Sequence, residues 1–533
     1  MNAPTPNQFR RLAVAVSVWS VWSVCSVATF AVPTPAQAQQ AEKLGTISFP
    51  NSGNAAAQSG FINGMLLYYS FEYDRAGASF RDAQKADPSF ALAYWGEALA
   101  QTHQVWNQQD LAGARAILAR LAPTPAARRA KAGTEREKMY MDAVEILYGD
   151  GPKARRDTLF TAAIERIERA HPSDDEAKVL HAVGLLGLNQ GVRDFTTYMQ
   201  AGALAEGVLR HNPDHPAAAH FIIHAFDDPT HAPLGLWAAR LYSKIAPGAP
   251  HAQHMTSHIY VAMGLWDDVV SQNVIASGPN KDAYRAGHYT WWLGYAYGQQ
   301  GRYAEAKSHL VTMHRNAKSP VAPGEANGLV NVRAHYVIDG EHWTDDVLSW
   351  KLASVGPGAA VDSFVVGLAA VNRQERPTAA RASAYLSAGA KSAPAAQRAA
   401  LNVLSKELAA AISSSSGKHA EATTLARDAA AAEEAMPFEF GPPKFPKPTY
   451  ELLGEVLLAA GNAGEAQIAF QKSLARTPGR SRSLVGLARA ASAAGDKATA
   501  ESAVAHLKSN WHGADKNLPE LAELTRLVAA GTK

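Results

Sequence analysis

The residues best suited to chemistry in this 533-residue chain are its 19 histidines. His211, His215, His220, His224, His231, His251, His254, His258 and His288 crowd into one stretch, and the spacing inside it is helical. His220 and His224 stand four apart, while His251, His254 and His258 step by three and then four, so each set lines one helix face. Neutral imidazoles one turn apart can clamp a single divalent ion, and imidazoles without thiolates suit zinc or copper. His220, His224, His251, His254 and His258 are therefore the candidate metal ligands. Asp227-Asp228-Pro229 bends out of the His220 segment. Asp227, Asp228 and, further upstream, Glu97 are the candidate proton shuttles for a metal-bound water. Other chemistries find no support. The single cysteine, Cys25, lies in an N-terminal apolar run, and neither a Gly-x-Ser-x-Gly elbow nor a phosphate-binding glycine loop occurs.

Imidazoles so placed need rigid elements to hold them, and the chain supplies a repeat. Ala76, Phe80, Ala83 and Pro88 follow Gly64 at offsets of 12, 16, 19 and 24. Ala466, Phe470 and Pro478 follow Gly454 in the same way; Gly486, Ala498 and Ala505 form a further copy, and Leu293, Gly294, Tyr297 and Ala306 another. These offsets resemble the tetratricopeptide (TPR) pattern, a 34-residue helix–turn–helix unit. Small residues sit where two helices cross, and large ones fill the space between hairpins. One hairpin cannot bury its apolar face alone, so neighbours stack into a superhelix with a concave wall. Residues 136–148, 154–168 and 401–412 keep the helical period, and no run alternates as a strand would. The expectation is an all-α, TPR-like α-solenoid, divided at Val355–Asp362 into arrays spanning 39–355 and 356–533.

The repeat register says which residues face the concave wall. With Pro250 as the first position of its unit, His251, His254 and His258 occupy positions 2, 5 and 9. With Ala219 first, His220, His224 and Asp227 fall at 2, 6 and 9; in the Gly294 unit, His288 and Trp291 fall at 2 and 5. Three consecutive hairpins thus aim imidazole at one groove. Glu451 and Glu455 take positions 5 and 9 of the Gly454 unit, and His103 and Trp106 end the helix that carries Glu97. His103, Trp106, His288, Trp291, Glu451 and Glu455 are the candidate ligand-binding residues of that wall.

The N-terminus reads as an address. Arg10-Arg11, an apolar stretch from Leu12 to Val32 and Ala36-Gln37-Ala38 make a secretory signal peptide over residues 1–38, so the mature chain is expected to be periplasmic or secreted. No later segment reaches the ~20 apolar residues that span a membrane. With 51 basic against 48 acidic residues, the chain lacks the polybasic surface that binds nucleic acid.

Several motifs are more specific than a generic repeat. Gly96-Glu97-Ala98 with His103 and Trp106, His220-Phe-Ile-Ile-His-Ala-Phe-Asp-Asp-Pro229, Ala246-Pro247 and His254-Met-Thr-Ser-His-Ile259 resemble those of a broad group of exported bacterial TPR proteins. So do Phe440-Gly-Pro-Pro443, Lys447-Pro448 and Glu451-Leu-Leu-Gly-Glu455, although Thr256 stands where that group more often has proline. The resemblance implies the architecture and marks residues, but names no reaction. Two functions follow as expectations. One is a groove that binds zinc or copper, with or without catalysis; the other is a metal-free scaffold for a peptide, an envelope protein or a small ligand.

Overall fold

A computed structural model of the chain describes residues 43–188, 193–278, 284–318 and 320–530. The expected signal peptide and Cys25 lie outside the described residues. Among these, 25 α-helices follow one another, and the one strand pairing joins Thr102–His103 to Gln108–Gln109. Nearly every helix packs on the next, and the first helices of neighbouring hairpins also touch, as Pro216–Phe226 does Pro250–Met263. That is the packing of an α-solenoid of TPR-like hairpins. None of the described helices is long and apolar enough to cross a membrane.

The repeat glycines explain how closely the hairpins stack. A Cβ on Gly64 would lie 2.7 Å from the Phe80 ring, and one on Gly96, in the next hairpin, 2.4 Å from the same ring. Phe470 is wedged identically between Gly454 and Gly486, at 2.8 and 2.2 Å. In both places one aromatic ring fills the space that two glycines leave, joining a unit to itself and to its successor. The hairpin turns share a left-handed residue as well. Gly301, Gly417, Gly461 and Gly495 hold φ between 65° and 81° just after the first helix of their pairs.

Three apolar cores succeed one another along the stack, and the helix Pro357–Asn372 packs on Pro323–Asp339 across the non-helical residues 350–356. The superhelix then curls back on itself. Trp266 Nε1 donates to Gly479 O at 3.1 Å, Trp511 Nε1 to Gln299 O at 3.1 Å, and Ser481 N to Gln299 Oε1 at 2.9 Å. Arg480, wholly buried, binds Glu451 and Asp339, each at 2.7 Å, and Lys447 adds ion pairs to Glu451 and Glu455. Each charge in this network has a partner, which is what burial of charge demands. The curl brings the segment around Phe440 over the helices that carry the histidines.

The glycine wedge makes a paired prediction. Gly486→Ala should destabilise the fold by about 1–3 kcal/mol, because Phe470 has no room to retreat. Gly464→Ala, where nothing lies within 4 Å of the new methyl, should be neutral or stabilise by up to about 1 kcal/mol. Chemical denaturation of the two variants checks both signs; equal effects would contradict the wedge.

Candidate metal centre

Three adjacent helices, Pro216–Phe226, Pro250–Met263 and His288–Gln299, build the site. Proline at the start of the first two presets the first turn without losing a needed donor. All residues of the first helix are buried, and so are His251 through Ala262 of the second, so their histidines can only point at one another or at neighbouring rings. His220 lies 4.9 Å from His224 and 5.1 Å from His251, ring centre to ring centre. His254 lies 5.2 Å from His258 and 4.5 Å from His288. Between these sets, His224 approaches His258 at 5.6 Å and His251 approaches His254 at 6.2 Å. Three groups bring one ligand atom per residue within 4.8 Å of one another: His220/His224/His251, His254/His258/His288 and His224/Asp227/His258.

The hydrogen bonds behind the rings fix which nitrogen faces inward. His220 Nδ1 lies 2.7 Å from the Tyr69 carbonyl, which can only accept, so Nδ1 carries the proton. His258 Nδ1 likewise donates to Asp227 Oδ2 at 3.0 Å, with His224 Nδ1 3.6 Å from the same oxygen. His254 Nδ1 donates to Asn273 Oδ1 at 2.7 Å; the Asn273 amide is oriented by its own donation to Val269 O. His251 Nδ1 meets the Tyr289 hydroxyl at 3.3 Å. On the inward side, Nε2 of His220, His224, His251, His254 and His258 is buried and has no protein hydrogen-bond partner. Outward Nδ1–H bonds with bare, convergent Nε2 atoms are the arrangement that orients imidazole for a metal.

Electrostatics keep the rings neutral. Burial pushes His220, His251 and His254 well below the ordinary imidazole range, and repulsion from the other rings pushes the same way. His258 is lowered by burial against the pull of Asp227. His288 stands at the mouth of the cluster, open to solvent on one side yet crowded by protein on the others; that crowding and then His258 and His224 lower it to about 3. Asp227 stays ionised: burial opposes its charge, but Arg193 at 2.7 Å and the His224 and His258 rings outweigh it and hold the carboxyl well below its usual range.

The remaining sequence candidates occupy varied places. Asp227 stands behind the rings, bonded to Nδ1 rather than facing Nε2. Asp228 caps the following turn, accepting from Thr230 N, His231 N and His231 Nδ1. Glu97 is taken up by Arg81, Gln84 and Arg120. Glu451 and Glu455 belong to the Arg480–Lys447 network. His103 stacks on Tyr73 at 3.9 Å, and Trp106 lies edge-on to His251 at 5.8 Å. Trp291 stacks on His335; its neighbour Trp292, four residues after His288 and so on the same face, meets His254 and His258 at 4.9 and 4.5 Å.

Phe71, Trp292, Tyr289, Asn273 and Arg193 are missed in the sequence, and Phe440 is marked there only as part of a motif. Phe71 carried a readable signal. Ser70-Phe71-Glu72 stands at the hairpin turn where other units have Gln300-Gly301-Arg302 or Ala460-Gly461-Asn462, and its φ is 55°. A bulky residue in that left-handed region costs on the order of 1–3 kcal/mol and persists where the surroundings hold it. Here its ring lies 4.3, 5.7 and 5.3 Å from His220, His224 and His251. Gly441 answers it across the site: a Cβ there would lie 2.3 Å from Trp292, so only glycine lets Phe440 reach His258, at 4.9 Å.

Comparison with known proteins leaves the site to its own geometry. No family model and no curated protein matches the chain. Solved structures align over most of it at low similarity: the APC/C hetero-tetramer Cut9–Hcn1 (11% identity, 92% of this chain and 79% of that one, TM-score 0.29), yeast Tom70 (10%, 89% and 95%, 0.27) and the P58(IPK) TPR domain (12%, 90% and 100%, 0.21). Superpositions this loose say nothing about the histidines.

Asp227 provides the direct test of the orienting shell. Asp227→Asn keeps the shape but withdraws the anion that holds two imidazoles in one tautomer. Affinity for zinc or copper should fall about 10–100-fold, measured by competition with a chromogenic chelator. Unchanged affinity would remove Asp227 from the site.

Proposed function

We propose that this protein is a metalloprotein whose TPR-like solenoid binds zinc or copper through the inward Nε2 atoms of the histidine cluster, outside the cytoplasm. One observation carries the reading: five buried imidazoles leave Nε2 without a protein hydrogen-bond partner, and the same residues fall into groups whose ligand atoms lie within 4.8 Å of one another. A buried acceptor left unsatisfied costs about 1–3 kcal/mol. Water is a poor remedy, since a molecule placed among three lone pairs has only two protons to offer. A cation satisfies all three at once. The donor set, imidazole without thiolate, suits zinc and copper.

The centre is open on one side. A cavity of about 570 Å³ is lined by His251, His288, Trp106, Tyr289, Arg285 and Phe440, a volume that suits a small molecule. A ligand there would lie against the cluster itself. Scaffold binding of a peptide or envelope protein needs neither the bare nitrogens nor their orienting bonds, so the metal reading is preferred.

The mature protein, purified without chelator, should carry zinc or copper by mass spectrometry. Exhaustive chelation should then lower its melting temperature, because an ion at a thousand times its Kd stabilises the folded state by ~4 kcal/mol. Restoring the ion should restore the transition. A chain that holds no metal, takes none up, and melts identically with and without chelator would return the groove to the scaffold reading.

A further inference from the structure

Two of the three groups use six different imidazoles, while the third, with Asp227, takes His224 from one and His258 from the other. His220, His224 and His251 form one, and His254, His258 and His288 the other, each with its ligand atoms within 4.8 Å of one another. Each set has its own aromatic wall. Phe71 lies within 5.7 Å of all three rings of the first, and Trp292 lies 4.9, 4.5 and 5.5 Å from those of the second. Between them stands Asp227, whose Oδ2 is 3.6 Å from His224 Nδ1 and 3.0 Å from His258 Nδ1, orienting one ligand of each set. The cavity meets both sets, with His251 from the first and His288 from the second in its wall.

We propose that the groove holds a pair of copper ions, one in each histidine triad, facing a shared small-molecule cavity. The proposal rests on the metal reading above and deepens it. One ion cannot use all six imidazoles while each triad is bounded by its own ring. Copper is favoured by charge. The inward donors are neutral nitrogens, and the carboxylates beside them are engaged elsewhere: Asp227 lies behind the rings paired with Arg193, and Glu72 accepts from His251 N. Coulomb repulsion scales with the product of the charges, so two Cu(I) ions repel one quarter as strongly as two dications at the same separation. Imidazole nitrogen is a good copper ligand. An organic ligand in the cavity, walled by Trp106, Phe440 and Tyr289, would reach both ions; its class is a small aromatic molecule.

The test titrates the full mature chain, stripped of metal, with Cu(I) under anaerobic conditions, and counts bound copper. The expected result is two ions per chain. His251→Ala and His288→Ala, with circular dichroism confirming the helices, should each retain one tight ion. After oxidation, the paired Cu(II) should show a half-field resonance and fewer than two integrated spins, given rings of the two sets only 5.6 and 6.2 Å apart. One copper per chain would overturn the pair while leaving the metalloprotein reading intact. Two zinc ions bound where copper binds only once would overturn the copper assignment. Two spins with an uncoupled spectrum would overturn the shared cavity. No uptake of either metal would overturn both this proposal and the reading beneath it.

Discussion

Everything about the groove turns on a set of hydrogen bonds made away from it. The carbonyl of Tyr69, the Asn273 amide and the Asp227 carboxylate accept Nδ1 protons of His220, His254 and His258, and by doing so they strip the opposite nitrogens of theirs. The rings are thereby neutral, oriented and facing inward with lone pairs. Burial then makes the protonated state unfavourable, so the imidazoles cannot relieve one another by taking up charge. A solenoid is a good device for this. Its inner helices line one wall, and three of them contribute the imidazoles.

The rest of the structure serves that geometry. At two places, Phe80 and Phe470, stacking of the hairpins rests on one aromatic ring between two glycines, a joint with no slack. The curl of the superhelix depends on a different device, the buried Arg480 with Glu451 and Asp339, together with Gln299 and its bonds to Ser481 and Trp511. These contacts fasten the distal hairpins to the histidine-bearing ones. Phe440 then closes over His258, while the side lined by Trp106 and Tyr289 stays open.

Much of the fold is legible in the sequence because its determinants are local. Gly64, Phe80 and Gly96 report the hairpin period directly, and Pro250 marks a helix start that the structure reproduces. The spacing of His251, His254 and His258 reports a helix face for the same reason. What the sequence hides is contact between distant segments. Nothing near Glu451 announces that Arg480 occupies its carboxylate, and nothing near His258 announces Phe440. Trp291 and Trp292 differ by one position, and only the helix start at His288 decides which shares a face with the imidazoles. Phe71 is intermediate: its place at a turn where other hairpins use glycine could be read, but its reason, the rings of His220, His224 and His251, is tertiary.

The proposed ion would be held by inward Nε2 atoms, and not by carboxylates or water. X-ray absorption at the metal edge of the protein as purified reads this directly. The expected spectrum has a first shell of nitrogen at about 2.0–2.1 Å, no sulfur, and the outer-shell scattering of several rigid imidazole rings, diminished in His254→Ala. A first shell of oxygen without imidazole scattering, or a spectrum indifferent to loss of His254, would contradict it.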